Sequence, residues 1–291
     1  MMIDLHLHST ASDGSDTPSQ LINQAIELKL KAIAITDHDT IAGIESFLSF
    51  GELKQIIVIP GIEISIRHEL KRELIDVHII GLNIDYTSSK LVNKLNDQIK
   101  GRLEQKKAIC KRLREEFGYN ISFEEVQTLT ESQIIGRPHI VEIMKKNNPK
   151  KVQGKSKDDL FKLISIGGSA YVEREIELTL EESIELINSV GGIPILAHPG
   201  IYSVTDHKKF IEMLISAGIR GVEIEYPYAK NRPYVGTDKS KWAQNHFPGY
   251  FQKIAEDYNL IKSGGSDYHG WKKNIIMGEA NVPDKYLKRF I

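Results

Sequence analysis

Short runs of apolar, β-branched residues alternate along this chain with longer segments of helical periodicity. The alternation is typical of an α/β fold built from βα units around a mainly parallel sheet, and it predicts about seven strands. We expect them near residues 3–7, 32–36, 56–66, 75–82, 193–197, 221–225 and 260–264. The clearest helix follows Thr17, where Pro18 opens a segment with Leu21, Ala25 and Leu28 on one face. Further helices are expected near 181–190, 206–217 and 243–259.

The strand pattern is interrupted between about residues 87 and 170. A long charged segment at 91–117 and several shorter ones have helical character there, so we predict a helical subdomain inserted at 87–170. Residues 1–86 and 171–291 would then form the main barrel domain. The basic loop 147–157 of the insertion is expected to be mobile, and it either contacts a substrate or faces solvent.

The composition limits the classes of function. At 291 residues the chain is long enough for one substantial domain that carries a smaller insertion. Lys plus Arg number 38 against 39 for Asp plus Glu, so bulk charge does not indicate strong nonspecific binding of nucleic acid. The single cysteine, Cys110, excludes an intrachain disulfide and fits a reducing, cytoplasmic location. Because no signal-peptide pattern and no apolar run of about 18 residues is evident, we expect no membrane partner.

Nine side chains of the types that bind metal ions occur in short motifs, most of them at the C-terminal ends of predicted strands. They are His6, His8, Asp13, His38, Glu63, His78, His198, Asp267 and His269. In the first motif, alternation along an extended strand directs His6 and His8 to the same face. A single pair of this kind is equally well explained by ordinary packing, but its repetition at strand ends favours a metal centre.

The chemistry of these donors narrows the expected activity. Six imidazoles and three carboxylates are more ligands than one ion needs, so they indicate two or three divalent ions. Imidazole-rich ligation favours Mn²⁺, Fe²⁺ or Zn²⁺ over Mg²⁺ or Ca²⁺. Clustered divalent ions polarise phosphoryl oxygens, generate hydroxide at neutral pH and stabilise the attacking and leaving oxygens in line. Hydrolysis of phosphoesters is therefore expected, without a serine or cysteine nucleophile.

The motifs resemble those of the polymerase and histidinol phosphatase (PHP) family over nearly the whole chain. The similarity is strongest in residues 4–14, Asp-Leu-His-Leu-His-Ser-Thr-Ala-Ser-Asp-Gly, and in residues 36–40, Thr-Asp-His-Asp-Thr. These two segments are most similar to the branch of the family that contains nucleotide phosphatases and 5′-to-3′ exoribonucleases. The resemblance implies a distorted seven-stranded (β/α) barrel with a helical insertion and a trinuclear metal centre.

The resemblance also implies how the nine residues divide among three metal ions. His6, His8, Glu63 and Asp267 would hold one ion; His78, His198 and a bridging Glu63 would hold the second; Asp13, His38 and His269 would hold the third. Asp4, Asp37 and Asp39 are expected to orient ligating histidines or to form turns. His198 is also a candidate general acid, although a metal-bound water would serve if this histidine is committed to metal.

Substrate anions need positive charge beyond the metal ions. The insertion carries Gly-Arg-Pro-His-Ile at 136–140, which is similar to a motif of the nucleotide-phosphatase branch. Arg137 is the better candidate for phosphate, because a planar guanidinium can bind two oxygens at once; otherwise it is a helix-capping surface residue. His139 is a second substrate-binding candidate, and the alternative is a packed or exposed histidine. Arg174 is a weaker candidate.

The segment 228–251 is longer than is common in this branch of the family. It contains Arg232, Tyr234, Lys239, Lys241 and Trp242. These residues suit the stacking of a base and contact with a phosphate backbone, and they suit equally a cover or a contact between subunits. The three histidines outside the motifs, His68, His207 and His246, are assigned to surface or core packing.

The leading hypothesis is a metal-dependent phosphoesterase that acts on nucleotides through a metal-bound hydroxide. Its expected partner is a nucleoside 3′,5′-bisphosphate, a 5′-monophosphate or a short 5′-phosphorylated single-stranded RNA, and not a long duplex. One alternative is a histidinol-phosphate phosphatase, against which the motif at 136–140 argues. A second alternative is a noncatalytic metal-binding module. The sequence indicates no particular oligomeric state.

Overall fold

The computed structural model describes residues 2–130, 132 and 134–291, and none of the predicted site residues lies among the other three. Eight strands occur within the described residues and form one sheet. They are β1 (Met2–Leu7), β2 (Ala32–Ile35), β3 (Ile57–Ser65), β4 (His78–Leu82), β5 (Ile193–Leu196), β6 (Gly221–Glu225), β7 (Ile261–Gly264) and β8 (Val282–Pro283). Their spatial order is β7-β6-β5-β4-β3-β2-β1-β8.

The sheet curls into a nearly closed barrel. β1, β2 and β3 are parallel, as are β5, β6 and β7, whereas β4 is antiparallel to both of its neighbours and β8 is antiparallel to β1. The barrel closes where β1 meets the segment after β7: Leu7 bridges Tyr268, and the amide of His8 donates to the carbonyl of Tyr268 at 3.0 Å. Helices pack against β3, β5 and β6, so the predicted α/β barrel is confirmed.

Two features differ from the seven-stranded, mainly parallel barrel that the sequence predicts. β4 is antiparallel because the connection after β3 contains only a short 3-10 helix, Leu70–Arg72, and the chain turns back instead of crossing over. The two-residue β8 is too short to give a periodic signal. Because of the reversal, His78 at the start of β4 pairs with Ser65 at the end of β3, and both lie at the same rim.

The described residues contain nine α-helices, and none of them is long and apolar enough to cross a membrane. They are α1 (Pro18–Glu27), α2 (Ile44–Lys54), α3 (Ser89–Glu115), α4 (Phe123–Gln127), α5 (Arg137–Asn147), α6 (Lys157–Ile164), α7 (Leu180–Ser189), α8 (His207–Ser216) and α9 (Ser240–Asp257). α1 begins at Pro18 as predicted, after a reciprocal capping box between Thr17 and Gln20. Leu28, predicted on its buried face, instead follows the helix end and is 40% exposed.

The chain divides into two compact units. The barrel unit contains the residues up to Asn93 and from Leu178 onward, and the insertion unit contains Lys94–Glu177. The first boundary falls inside α3, so no loop in the sequence marks it. Each unit has an apolar core, which includes Ile3, Leu5, Ala34, Ile59 and Ile80 in the barrel and Ile109, Leu113, Ile140, Met144 and Leu160 in the insertion.

The basic segment 147–157 of the insertion is partly anchored. Asn148 and Val152 are buried, and the side-chain amide of Asn148 donates to the carbonyl of Asn120 at 2.9 Å. The lysines of this segment are exposed, and the amine of Lys151 lies 4.9 Å from the centre of the Tyr119 ring. The segment therefore has two buried residues and a cationic surface, and its mobility stays a prediction.

Candidate metal centre

The nine predicted metal-binding side chains meet at one rim of the barrel. Their positions are His6 in β1, His8 and Asp13 after β1, His38 after β2, Glu63 in β3, His78 at the start of β4, His198 after β5, and Asp267 and His269 after β7. Because the carboxyl ends of parallel strands share one rim, these side chains come together although they are far apart in the sequence.

The donor atoms of these residues form four overlapping groups, and within each group they lie within 4.8 Å of one another. The groups are His8, Asp13, His38 and His269; His6, His8 and Asp267; His6, Glu63 and His198; and His38, Glu63 and His78. His6, His8, His38 and Glu63 each belong to two groups, so the four groups form one continuous cluster. We call these nine residues the donor cluster.

Glu63 lies at the middle of the donor cluster. Its side chain is fully buried, and five imidazole nitrogens lie 2.9 to 3.3 Å from its two oxygens. They belong to His6, His8 and His38 around Oε2 and to His78 and His198 around Oε1. Within the described part of the chain, Oε2 accepts no hydrogen bond. A buried carboxylate oxygen without a hydrogen bond is unfavourable unless a cation lies beside it, so this geometry fits metal ions.

Electrostatics keep the carboxylates of the donor cluster ionised. Burial alone would raise the pKa of Glu63, but His38 and His6 hold it well below its ordinary value. Burial alone would also raise the pKa of Asp13, but His269 holds it well below its ordinary value. For Asp267, burial is outweighed by Lys273 and His269, which hold its pKa well below normal. Ionised carboxylates are the form that binds metal.

The backbone around the donor cluster is constrained. His198 and Asp267 have φ angles of 29° and 55°, in the left-handed region that residues other than glycine rarely adopt. Gly265 lies so close to His6 that an added Cβ would be 2.3 Å from the Cβ of His6. Strained backbone of this kind concentrates at functional sites, where it fixes the direction of a side chain.

A family model described as the PHP domain matches residues 4–225, which is most of the chain and includes seven of the nine donor residues. The chain belongs to the PHP domain family. The resemblance proposed from the sequence motifs is therefore confirmed.

Curated relatives of this PHP protein match over nearly its whole length. A 5′-3′ exoribonuclease of Escherichia coli is 31% identical, and the match covers 92% of this chain and 85% of the relative. A phosphoribosyl 1,2-cyclic phosphate 1,2-diphosphodiesterase of Eggerthella lenta is 29% identical, with 93% of this chain and 95% of the relative covered. A 3′,5′-nucleoside bisphosphate phosphatase of Chromobacterium violaceum is 28% identical, with 92% of this chain and 87% of the relative covered.

A solved structure supports the fold. A protein from Bifidobacterium adolescentis, described as a metal-dependent phosphoesterase, superposes with a TM-score of 0.79 and 24% identity. The superposition covers 99% of this chain and 94% of that protein. At this level of identity the likeness concerns the fold of the PHP barrel and its insertion.

The family and the donor cluster together define the class of activity. The PHP protein is a metal-dependent hydrolase of phosphoric esters, as the sequence predicts. Carboxylate oxygens and imidazole nitrogens are suitable ligands for divalent first-row metal ions.

One residue of the site, Glu223 in β6, has no role in the sequence prediction. Its carboxylate is fully buried, and both oxygens lie 3.1 Å from Nδ1 of His6. Its Oε2 also accepts a hydrogen bond from the amide of His198 at 2.7 Å. Glu223 therefore fixes the ring of His6 and the turn that carries His198. The signal that the sequence offers is an acidic residue in the middle of an apolar strand.

Three further side chains contact the donor cluster and escaped the sequence analysis. The hydroxyl of Tyr226 donates to Oδ2 of Asp267 at 2.8 Å, and the amine of Lys273 lies 2.7 Å from the same oxygen. The hydroxyl of Tyr202 accepts a hydrogen bond from the amide of His78 at 3.1 Å. These three residues contact and position the ligands. They belong to no short sequence motif that would indicate a metal site.

Asp4, Asp37 and Asp39 hold the loops of the rim. Asp4 accepts hydrogen bonds from the amides of Ser266 at 2.9 Å and Gly278 at 2.7 Å. Asp37 accepts from the amide and the hydroxyl of Ser9, both at 2.7 Å. Asp39 accepts from the amide of Ser65 at 2.8 Å. These hydrogen bonds join segments that are distant in the sequence, and the two roles expected of the three residues, orienting histidines or forming turns, stay predictions.

The substrate-binding candidates of the insertion unit occupy the start of α5 and the segment after α6. Arg137 is the first residue of α5, and its Nη1 donates to the hydroxyl of Ser165 at 3.2 Å. His139 is buried, and its Nδ1 accepts a hydrogen bond from the amide of Gly136 at 3.1 Å, so one nitrogen of this ring caps the helix. Oε1 of Glu177 lies 2.8 Å from Nη1 of Arg174.

A buried lysine of the insertion unit lies among arginines. Lys106 is only 5% exposed, and its amine donates to Oε1 of Gln105 at 2.7 Å. Burial holds the pKa of this amine well below its ordinary value, and Arg102, Arg174 and Arg137 lie close enough to lower it further. We call Arg102, Lys106, Arg137 and Arg174 the cation cluster. Such a concentration of like charge suits an anion.

Proposed function

We propose that this PHP enzyme hydrolyses nucleotide phosphates at the donor cluster, with all nine residues acting as metal ligands. The substrate is a nucleoside 3′,5′-bisphosphate, a 5′-monophosphate or a short 5′-phosphorylated RNA. The observation that carries the chemistry is the buried Glu63 carboxylate with five imidazole nitrogens at 2.9 to 3.3 Å. The substrate class is supported by relatives named as an exoribonuclease and a nucleoside bisphosphate phosphatase.

The donor groups suit a trinuclear centre of Mn²⁺, Fe²⁺ or Zn²⁺. When bound, such ions polarise phosphoryl oxygens and supply a hydroxide as the nucleophile. In the division that the family resemblance implies, His6, His8, Glu63 and Asp267 would hold one ion; Glu63, His78 and His198 would hold the second; Asp13, His38 and His269 would hold the third.

The phosphate approaches from the side of Asp13, His38 and His78. The side chains of these residues are 32%, 16% and 22% exposed, whereas those of His6 and Glu63 are fully buried. The exposed members therefore form the mouth of the site, and the buried ones form its floor.

His198 is the weaker of two proposals for the group that protonates the leaving oxygen. Its Nε2 lies 3.0 Å from Oε1 of Glu63, and its side chain is only 4% exposed. This position suits a metal ligand better than a donor to the substrate. If His198 is committed to metal, a water molecule would have to supply the proton instead.

We also propose that the cation cluster of the insertion unit binds a phosphate group. Arg137 and Arg174 contribute planar guanidinium groups, which bind two phosphate oxygens at once. The buried amine of Lys106 adds a third positive group and gains stabilisation from the anion, because its charged form is disfavoured by burial. His139 is the further substrate-binding candidate of this motif, and its Nδ1 caps α5.

The two alternative functions, a histidinol-phosphate phosphatase and a noncatalytic metal-binding module, predict different assay results. A histidinol-phosphate phosphatase would use the same donor cluster, so only the choice of substrate separates it from a nucleotide phosphatase. A noncatalytic module would need no complete ligand set. The cytoplasmic location expected from the single cysteine remains a prediction.

The test is phosphate or nucleotide release by protein reconstituted with Mn²⁺. The substrates are adenosine 3′,5′-bisphosphate, adenosine 5′-monophosphate, a 5′-phosphorylated RNA octamer, histidinol phosphate and a ribosyl 1,2-cyclic phosphate. Asp13→Ala removes a proposed ligand, and Asp257→Ala, which changes an exposed carboxylate at the end of α9, is the matched control.

We expect turnover of the nucleotides or the RNA, lost in Asp13→Ala and retained in Asp257→Ala. Turnover of histidinol phosphate alone would contradict the proposed substrate class and leave the chemistry intact. Inactivity on all five substrates would contradict the proposed function as a whole.

A further inference from the structure

One face of α9 carries three aromatic rings stacked along the helix. Trp242, His246 and Tyr250 are four residues apart, which places them on the same helical face. The Trp242 and His246 rings are 4.7 Å apart at 14°, and the His246 and Tyr250 rings are 5.5 Å apart at 22°. We call these three residues the aromatic stack.

Buried rings of the same helix hold the aromatic stack in place. Phe247 is 3% exposed, and its ring meets the edge of Trp242 at 5.4 Å and the ring of His246 at 5.5 Å. Trp242 itself is 51% exposed. Because His246 covers one face of the indole and Phe247 meets its edge, the opposite face is the surface on which another flat ring can continue the stack.

The aromatic stack borders a groove of about 490 Å³. Tyr234 and Lys239 line the groove together with Trp242. The hydroxyl of Tyr234 donates to the carbonyl of Gly200 at 2.8 Å, and Gly200 follows the ligand His198 by two residues. Rings also connect the two sites, because Tyr228 lies 5.0 Å from Phe247 and 5.0 Å from Tyr226, the partner of Asp267.

The charge of this region differs from that of the chain as a whole. The whole chain has a formal net charge of −1. Between residues 230 and 253, in contrast, the basic residues are Lys230, Arg232, Lys239, Lys241 and Lys253, and the acidic residue is Asp238. Of these cations Lys239 lines the groove, together with the carboxylate of Asp206, and the others belong to the surrounding segment. An exposed flat ring in such a basic segment matches the chemistry of a single-stranded nucleic acid, which offers base faces and a phosphate backbone together.

We propose that Trp242, backed by His246 and Tyr250, stacks a base of a single-stranded RNA substrate while its terminal phosphate lies at the donor cluster. Lys239 contacts the backbone phosphates of the same strand. This proposal rests on the proposed function, and it makes RNA longer than one nucleotide the preferred substrate. A mononucleotide occupies the metal centre without reaching Trp242.

The kinetic test compares Trp242→Ala with the wild-type holoenzyme on two substrates. We expect kcat/KM for a 5′-phosphorylated octa-adenylate to fall about tenfold, the effect of losing one stacked base, while that for adenosine 3′,5′-bisphosphate stays the same. Trp242→Phe keeps a flat ring and should retain most of the activity on the octamer. Phe50→Ala on α2, a half-buried ring with the Lys54 amine 5.5 Å from its centre, is the matched control and should change neither substrate.

A binding measurement separates the failure of this proposal from failure of the proposed function. The probe is a fluorescein-labelled octa-adenylate with phosphorothioate linkages, which resist hydrolysis, and the readout is anisotropy at several salt concentrations. Trp242→Ala should weaken binding about tenfold, and Lys239→Gln should reduce the slope of log K against log salt by about 0.7, as for one lost phosphate contact. These shifts would support the aromatic stack even if no substrate were hydrolysed.

Three results would overturn the proposal. In the first, a folded Trp242→Ala variant binds and cleaves the octamer as the wild type does. In the second, its activity falls equally on the octamer and on the bisphosphate, which indicates a structural role. In the third, the wild type is a dimer that Trp242→Ala dissociates without a change in octamer binding, so the stack is a contact between copies of the chain.

Discussion

The barrel unit and the insertion unit both bury charged side chains, but the two sets differ in sign. The donor cluster combines carboxylates with imidazoles, and Glu63 lies among five of these rings. The cation cluster consists of Arg102, Lys106, Arg137 and Arg174, with the carboxylate of Glu177 beside Arg174. A set rich in lone pairs favours cations, whereas a set rich in N–H donors favours anions. The comparison therefore supports the proposal that one unit binds metal and the other binds phosphate.

The direction of the pKa changes supports this assignment. Neighbouring histidines hold the pKa of Glu63 well below normal against the effect of burial, so this carboxylate stays ionised. In the insertion, burial and the adjacent arginines both lower the pKa of Lys106. An anion would favour the charged form of this amine, and a metal ion would have the opposite effect.

The largest effect is expected for Glu63→Gln. The amide has nearly the same shape but no charge, so the bridge between two proposed metal ions is lost. Hydrolysis should fall by roughly a thousandfold or more, together with metal content, measured by phosphate release and mass spectrometry of bound metal. Glu45→Gln, at an exposed position of α2, is the control and should behave as the wild type. If Glu63→Gln kept both its activity and its bound metal, the proposal that the barrel unit binds metal through Glu63 would be contradicted.

A smaller loss is expected for Glu223→Gln. Glu223 touches His6 and the amide of His198 but is not a proposed ligand, so the change acts through the orientation of the His6 ring. Metal affinity and kcat should each fall about 10- to 100-fold, as measured by titration with Mn²⁺ and by turnover at saturating metal. If the variant bound metal more weakly but was fully active at saturating metal, Glu223 would act only by positioning the metal ligands. No change in either quantity would contradict its positioning role.

Arg137→Lys tests the other half of the comparison. A lysine keeps the positive charge but loses the planar, two-pronged donor, so the KM for the nucleotide should rise about tenfold while kcat and metal content stay unchanged. Initial rates over a range of nucleotide concentrations give the two constants separately. The control is Arg114→Lys, at an exposed position of α3. A fall in kcat with no change in KM would argue against phosphate binding by the cation cluster.

The smallest effect concerns Cys110, one helical turn after Lys106 on α3. Burial raises the pKa of its thiol to about 12, although Lys106 acts in the opposite direction. The thiol should therefore stay protonated and unreactive at pH 8 in the folded protein, and react fully after unfolding in urea. A chromogenic disulfide reagent measures both rates. Rapid reaction of the folded protein would mean that the charge of Lys106, or opening of the insertion, activates the thiol.

The sequence was most informative where chemistry and strand periodicity coincide. Motifs at strand ends predict all nine members of the donor cluster, because the carboxyl ends of parallel strands share one rim. His78, one of the nine, reaches this rim in a different way, because it begins the reversed strand β4. The reversal of β4 depends on how the chain turns after β3, which strand periodicity does not report.

Contacts between distant strands were the least predictable from sequence. In the sequence Glu223 is an isolated acidic residue within β6. Its role is apparent only from the structure, in which His6 of β1 lies 3.1 Å from it. The buried environment of Lys106 is similar, because Arg137 and Arg174 reach it from distant parts of the sequence. The boundary of the insertion unit lies inside the continuous helix α3, so composition could not mark it.

The most direct test of the account is the number of divalent ions bound per chain, measured by mass spectrometry on protein reconstituted with Mn²⁺ and freed of excess metal. The account predicts about three ions in the wild type and about two in Asp13→Ala, which lacks one ligand of the third ion. A wild-type chain that holds two ions or fewer would contradict the claim that the donor cluster forms a trinuclear centre.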